Sequence, residues 1–188
     1  QVDAVLYPHC HADHVFGFDD LRVFSRLTKQ RVPVYGNAST ITELREVFAY
    51  IFRQTERHQD RPWIETNVVD GPFQVGDILV QPVPVFHDSL PIFGYRIGNL
   101  AYITDCSELP PASLDLLQDL DVLILGVVGF NPHPAHLHLE GALQLVEQLR
   151  PKQTYLTHLS HLLEHNEVSK TLPAGVYLAY DGLTVHLT

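Results

Sequence analysis

Four potential metal ligands lie within six residues near the start of the chain, in the run His9-Cys10-His11-Ala12-Asp13-His14. Residues 2–7 are mostly apolar and predict a buried strand that ends where the ligands begin. His9 and His11 are two positions apart, so in extended chain they point to the same side and can share one ion. Asp13 and His14 can then face a second ion. The run therefore predicts a site for two metal ions, and a fold that brings further ligands to it from distant parts of the chain.

The composition narrows the class of protein. The chain has 188 residues, of which 45% are hydrophobic and 18% charged, as expected for one soluble globular domain. It has no apolar run of about 18 residues that would span a membrane. The formal net charge of −10 disfavours capture of a nucleic-acid backbone, which needs clustered Lys and Arg. A small anionic substrate remains compatible if metal ions supply the positive charge.

The two cysteines, Cys10 and Cys106, cannot build a disulfide framework, and this favours a reduced, cytoplasmic protein. Both flank predicted ligands, and we interpret both as packing residues. Cys106 remains the rival of its neighbour Asp105 as a ligand. The chain starts at Gln1 and contains no Met, which indicates that this is not its natural start.

Alternating apolar residues and turn signals predict strands at residues 2–7, 32–35, 64–69, 73–75, 78–86, 92–97, 100–103, 122–125 and 155–156. Helices are predicted from a Ser39-Thr40 cap to about Phe52, and at residues 110–117, 139–149 and 166–172. Residues 53–62 predict a polar loop that contains His58. Residues 176–180 and 183–187 predict a hairpin across Asp181-Gly182. Mixed strands and helices without repeats indicate a single α/β domain over residues 1–188.

The pattern His9-x-His11-x-Asp13-His14 resembles the signature of the metallo-β-lactamase superfamily. Three later strands end in matching residues, His87, Asp105 and His158. The resemblance implies an αββα sandwich with metals at one edge of the sheets. It also implies how the ligands are divided: one ion takes His9, His11 and His87, the other takes Asp13, His14 and His158, and Asp105 bridges both.

Residues 17–22, 93–96 and 156–161 resemble the phosphodiesterase branch of this superfamily. That branch includes the tRNA 3′-processing endonucleases and the cyclic ribose-phosphate phosphodiesterase of phosphonate breakdown. The similarity to the second is closer, and it extends from Val2 to the turn at residues 180–182. The resemblance implies a phosphodiesterase that cleaves a small or cyclic phosphate ester through a metal-bridging hydroxide.

Within that mechanism, the resemblance implies that Asp13 binds a metal and orients the hydroxide. His136 takes the position of a non-ligand histidine that contacts the phosphate, with His133 and His138 as rivals. His161 is either a partner that orients a ligand or a surface residue. His58, His165 and His186 are interpreted as surface or loop residues. Zinc is favoured for both ions, although manganese and iron also suit His and Asp ligands. The sequence leaves a homodimer open.

The chain departs from the family pattern in three ways. Several strands usually precede the His-rich run, so we expect this chain to lack the first strands of the fold. Relatives often carry Thr where Pro8 stands and Asp where Gly126 ends its strand. The glycine at position 126 predicts the loss of a group that supports a ligand.

Other functions remain open. The same hydroxide could attack a thioester or lactam carbonyl, and a tRNA 3′-processing endonuclease is disfavoured by the acidity of the chain. A binding protein that retains the fold without catalysis would be expected to have lost ligands, yet all seven expected positions are filled. An oxygen-reducing diiron member of the superfamily would carry Glu where His11 stands.

Overall fold

The computed structural model describes residues 2–53 and 60–187. The chain divides into two compact units, Gln1–Leu79 and Val80–Thr188. The single domain inferred from the sequence stays a prediction. Residues 54–59 of the predicted polar loop, His58 among them, lie outside the described residues.

The first unit contains a three-stranded parallel sheet in the order β1-β2-β3, formed by β1 (Val5–Leu6), β2 (Val32–Gly36) and β3 (Ile64–Val68). A short strand, β4 (Phe73–Val75), follows later in the chain. The helices are α1 (Ala12–Val15), α2 (Leu21–Thr28), α3 (Ala38–Val47) and α4 (Ala49–Phe52), with a 3₁₀ turn at Phe16–Asp20. The predicted strands are confirmed, although β1 is shorter than expected.

The predicted cap of the helix after β2 is wrong. The helix starts at Ala38, and its N-cap is Asn37, whose side chain accepts a hydrogen bond from the backbone N–H of Thr40 at 2.8 Å. Asn37 has extended backbone, with φ −68° and ψ 171°, which is the conformation that lets a cap side chain reach the third helical N–H. The local Ser-Thr pattern predicted the cap two residues too late.

An aromatic core holds the start of the His-rich run in place. Phe18 is fully buried, and its ring lies 5.8 Å from that of Tyr7 and 4.9 Å from that of Phe48. The backbone N–H of Tyr7 donates to Tyr35 O at 2.8 Å, which extends the pairing of β1 with β2. Val15, only 1% exposed, anchors α1. The chain between Tyr7 and Val15 is therefore fixed at both ends.

The second unit contains a mixed sheet with the strand order β10-β9-β8-β7-β6-β5. Its strands are β5 (Ile78–His87), β6 (Leu90–Ile97), β7 (Leu100–Ile103), β8 (Val122–Gly126), β9 (Gln153–Thr157) and β10 (Val176–Leu178). β5, β6 and β7 pair antiparallel, whereas β7 to β10 pair parallel. The helices are α5 (Pro111–Asp115), α6 (Leu139–Leu149) and α7 (His165–Ser169).

The core of the second unit lies along β7, β8 and β9. Ile103, Leu123, Leu125 and Leu156 are fully buried, as expected for the continuous apolar run that a strand in a parallel sheet requires. α6 has the predicted bounds. It buries a helical stripe, with Leu139, Ala142, Leu145 and Leu149 against the core. This packing holds the carboxyl ends of the parallel strands at one edge of the sheet.

The predicted hairpin after residue 176 is wrong. β10 pairs in parallel with β9, with Val176 opposite Thr154, and within the described part of the chain residues 183–187 form no strand. A turn does occur at the expected place, since Leu183 N–H donates to Tyr180 O and Gly182 has a φ of +86°. The sequence signal for the turn is local. The pairing of β10 with β9 joins segments that are distant in sequence, so the turn does not determine it.

The predicted α/β class is confirmed by these two sheets and their helices. Across residues 2–53 and 60–187, no helix has the length and apolar character needed to cross a membrane.

Candidate metal centre

Four predicted ligands of the first unit cluster at the end of β1, and we call them the N-terminal ligand cluster: His9, His11, Asp13 and His14. The ring of His9 lies 4.4 Å from that of His11 and 4.5 Å from that of His14, measured between centroids. Ligand atoms of His9 and His11 come within 4.8 Å of each other. His9 is 1% exposed, whereas His11 is exposed. The predicted convergence of these imidazoles thus occurs within the unit.

The local backbone explains this cluster. His11 is the N-cap of α1, with extended φ −68° and ψ 153°, and its carbonyl accepts from His14 N–H at 3.0 Å. Asp13 and His14 therefore lie in the first turn of a helix, and His14 Nε2 is 3.2 Å from Asp13 Oδ2. The change from strand to helix lets the chain fold back, so that the His14 ring lies as near to His9 as the His11 ring does.

The three predicted ligands of the second unit, His87, Asp105 and His158, lie at strand ends. β5 ends at His87, Asp105 follows β7 by two residues, and His158 directly follows β9. Asp105 Oδ1 is 3.2 Å from His158 Nε2, and ligand atoms of His87 and Asp105 lie within 4.8 Å. Asp105 is 2% exposed and His87 7%. The unit thus brings together all three ligands predicted in it.

Asp105 and His158 both adopt the left-handed backbone conformation, with φ of 52° and 59°. This region is uncommon for residues other than glycine, although Asp and His enter it more readily than most residues do. In each case the chain turns sharply as it leaves a strand, and the side chain stays at the sheet edge. Asp88, next to His87, has the same conformation with a φ of 55°.

A backbone contact orients His87. Its Nδ1 lies 2.7 Å from Ala135 O, a hydrogen bond that requires the proton on Nδ1 and assigns the lone pair to Nε2. A carbonyl partner of this kind is a usual way to orient a metal-binding imidazole. It also ties the loop that carries His133, His136 and His138 to His87.

Of the three histidines in that loop, His136 contacts predicted ligands. Its ring stacks on that of His158 at 5.2 Å and lies 4.7 Å from that of His87. Burial lowers the pKa of His136 to about 4, and the neighbouring His87, His158 and His133 act in the same direction against the opposing effect of Asp105. His133 is exposed and lies beside His136. The ring of His138 lies instead against Gly141, since a Cβ built on that glycine would be 3.1 Å from the ring. The contacts favour His136 over its two rivals.

Both cysteines are packed. Cys106 is fully buried in the core, and its thiol lies 3.4 Å from Glu108 O. Burial raises the pKa of Cys106 to about 12 and that of Cys10 to about 11. The position of Cys106 within the apolar core favours its assignment to packing and Asp105 as the ligand. His161 and His186 are exposed, and His165 starts α7.

A cleft of about 300 Å³ lies beside His158, lined by Thr157, His158, Leu159, Ala179, Tyr180 and Asp181. Sequence reasoning missed Tyr180 and Asp181 as residues near the candidate site. The available signal was weak: both follow β10, and the carboxyl ends of parallel strands meet at the same sheet edge. Sequence reasoning also missed Thr104, whose hydroxyl donates a hydrogen bond to Asp105 Oδ1 at 2.8 Å.

The donor set fits divalent cations. Imidazole nitrogens and carboxylate oxygens are the ligands that zinc, manganese and iron share. Asp105 supports this, because a carboxylate that is 2% exposed is costly unless positive charge lies beside it. The His and Asp groups of this chain can therefore bind metal.

Comparisons with known proteins identify the family. A family profile described as "Beta-lactamase superfamily domain" matches residues 1–159. The crystal structure of a new diphosphatase from the PhnP family is 40% identical, with a TM-score of 0.90, over 99% of this chain and 72% of that one. The short form of human tRNase Z (ELAC1) is 18% identical, with a TM-score of 0.72, over 99% and 79% of the two chains. The last similarity shows the fold alone.

One curated relative is the octanoyltransferase of Porphyromonas gingivalis (strain ATCC BAA-308 / W83), 33% identical over 187 residues. The match covers 97% of this chain and 37% of the relative, so the chain spans little more than a third of that protein. The metallo-β-lactamase fold predicted from the sequence is confirmed by the family profile and by the diphosphatase. The chain belongs to the metallo-β-lactamase superfamily and, within it, to the PhnP family.

Proposed function

We propose that this protein is a metal-dependent phosphodiesterase that hydrolyses a small or cyclic phosphate ester. The observation that carries the proposal is the group at one sheet edge of the second unit, where His136 stacks on His158 beside the buried Asp105. His136 is not a predicted ligand, so it remains available to contact a substrate. The 40% identical PhnP-family diphosphatase supports a phosphate-containing substrate.

Two divalent ions are part of the proposal, with zinc favoured. His9, His11 and His87 would hold one ion, Asp13, His14 and His158 would hold the other, and Asp105 would contribute to both. Support comes from each unit separately: the imidazoles of the N-terminal ligand cluster converge, and Asp105 contacts His158. When bound, the ions would lower the pKa of a water molecule and offset charge on the phosphoryl oxygens.

The side chains have separate roles in this reaction. Asp13, with 60% of its side chain exposed, would help to hold an ion and to orient the attacking hydroxide, while the leaving alkoxide takes up a proton from solvent water. His136 donates a hydrogen bond from a ring N–H to a phosphoryl oxygen. The hydrogen bond from His87 to Ala135 O holds the loop of His136 in place. The cleft beside His158 has room for a small ester, and the net charge of −10 favours such a substrate over nucleic acid.

Acyl chemistry is the main competing function. The octanoyltransferase name belongs to a protein of which this chain spans 37%, and it does not by itself assign acyl transfer to the matched part. Hydrolysis of a thioester or lactam would use the same metal ligands. Substrate preference therefore separates the two functions.

The test compares a chromogenic phosphodiester, bis(4-nitrophenyl) phosphate, with an acyl thioester on the zinc- or manganese-loaded protein. We expect turnover of the phosphodiester, and we expect His136→Ala to lower kcat by about 10²- to 10³-fold, because the loss of one positioned hydrogen-bond donor to a phosphoryl oxygen costs on that scale. His186→Ala, which changes an exposed histidine, serves as the matched control and should retain full activity. Faster turnover of the thioester, or equal activity of the His136 variant, would overturn the proposal.

A further inference from the structure

A buried hydroxyl lies against the carboxylate that the proposed function assigns to both ions. Thr104 is 1% exposed and Asp105 2%, and Thr104 Oγ1 donates to Asp105 Oδ1 at 2.8 Å. Removing one partner of a buried hydrogen bond to a charged group costs more than removing a surface contact. The proposed reaction gives Thr104 no role, so its burial at this position needs an explanation.

The same oxygen has a second neighbour. Asp105 Oδ1 lies 3.2 Å from His158 Nε2, so the Thr104 hydroxyl and the His158 imidazole both contact one atom. The left-handed backbone of Asp105 and His158 places both side chains at the sheet edge. A rotation of the Asp105 carboxylate would break its hydrogen bond with Thr104. The hydroxyl therefore selects one orientation of this carboxylate.

Gly126 at the end of β8 provides the space for this arrangement. A Cβ on Gly126 would lie 3.0 Å from Asp105 N, 3.2 Å from Thr104 Cα and 3.3 Å from Thr104 Oγ1. Two of these atoms belong to backbone that cannot move without shifting Asp105. A Cβ at position 126 would thus press on the two residues that form the hydrogen bond, and their backbone would have to give by a few tenths of an ångström.

We infer that Thr104 is a positioning residue that orients Asp105 for metal binding, and that Gly126 leaves the space for this arrangement. The inference rests on the proposed function, because Asp105 is a ligand in that proposal. It reverses the expectation that Gly126 marks a lost support for a ligand. In this chain, the support comes from the hydroxyl of Thr104, and the glycine makes room for it.

The test measures metal affinity on the metal-depleted full chain by competition with a chromogenic chelator, using Zn²⁺ alone. Thr104→Val keeps the shape of the side chain and removes the hydroxyl, so we expect zinc affinity to fall by about 10- to 100-fold. Thr104→Ser restores the hydroxyl and should restore affinity. Gly126→Ala should weaken affinity in the same direction, whereas Gly71→Ala, where a Cβ meets nothing within 4 Å, is the matched control.

The melting temperature of each metal-free variant separates positioning from a purely structural role. If Thr104→Val lowers that temperature but leaves zinc affinity equal to the wild type, the inference is wrong. Asp105→Asn tests the underlying assignment: if it leaves zinc affinity unchanged, Asp105 is not a ligand and both proposals fail. If Asp105→Asn weakens binding and Thr104→Val does not, only the inference fails. Should the valine variant not fold, Thr104→Ala compared with Thr104→Ser gives the same contrast.

Discussion

Two of the three proposed ligands of the second unit have a left-handed backbone, a conformation that they share with residues away from the candidate site, such as Asp119 and Arg150. Asp105 and His158 have positive φ, and Asp88 follows His87 with the same conformation. Such residues each cost about 1–3 kcal/mol and cluster at functional sites. The sequence pattern named these ligands because each follows an apolar run. It could not show that the backbone of Asp105 and His158 is left-handed, because Asp and His occupy that region in only a small fraction of cases.

The assignment of Cys106 to packing leads to a prediction at this scale. The thiol is fully buried in the core, so Cys106→Ser buries a hydroxyl whose desolvation is offset only in part by a hydrogen bond to Glu108 O, and it should lower the free energy of unfolding by about 1 kcal/mol. Cys106→Ala should cost less. Urea unfolding measures the stability, and bound zinc per chain should stay at the wild-type value in both variants. A folded alanine variant that loses zinc would favour the thiol as a ligand.

At the scale of elements, the apolar patterns predicted the strands and α6 well, because alternation and helical stripes are direct consequences of backbone geometry. Two local signals failed. The Ser39-Thr40 pattern predicted the wrong cap, and the Asp181-Gly182 turn predicted a hairpin where β10 pairs in parallel with β9. In both cases the error lies in the hydrogen-bond partner of a backbone group: the N–H of Thr40 in the first and the strand β10 in the second. That partner is set by residues outside the short pattern from which the prediction was made.

The observed cap can be tested by substitution. Asn37→Ala removes the acceptor for Thr40 N–H and should lower the free energy of unfolding by about 1 kcal/mol. Asn37→Asp keeps an acceptor and should retain most of the stability. Ser39→Ala distinguishes the observed cap at Asn37 from the cap predicted at Ser39. A larger loss of free energy of unfolding in Ser39→Ala than in Asn37→Ala would favour the predicted cap. Urea midpoints measure all three.

For the whole molecule, the seven predicted ligands are divided between the two units, with His9, His11, Asp13 and His14 in residues 1–79 and the others in residues 80–188. A metal-dependent function therefore predicts metal-dependent stability. An ion that binds the folded state alone stabilises it by about 2.7 kcal/mol at a free concentration of 100 times its Kd.

The corresponding measurement is the melting temperature with a chelator and with added zinc. Zinc should raise the melting temperature of the wild type, and the rise should be smaller in His158→Ala. His186→Ala, an exposed histidine change, should behave as the wild type. A wild-type melting temperature that does not respond to zinc or to the chelator would contradict a metal site of the proposed kind.

From the sequence alone came the identity of the candidate ligands, the strands that precede them and the resemblance to the superfamily, because all three are read from residues adjacent in the chain. The tertiary structure alone decided the stacking of His136 on His158, the tautomer of His87 and the closeness of Gly126 to Thr104. Each of these is a contact between segments distant in sequence. Such contacts depend on the register and pairing of strands, which local patterns do not encode.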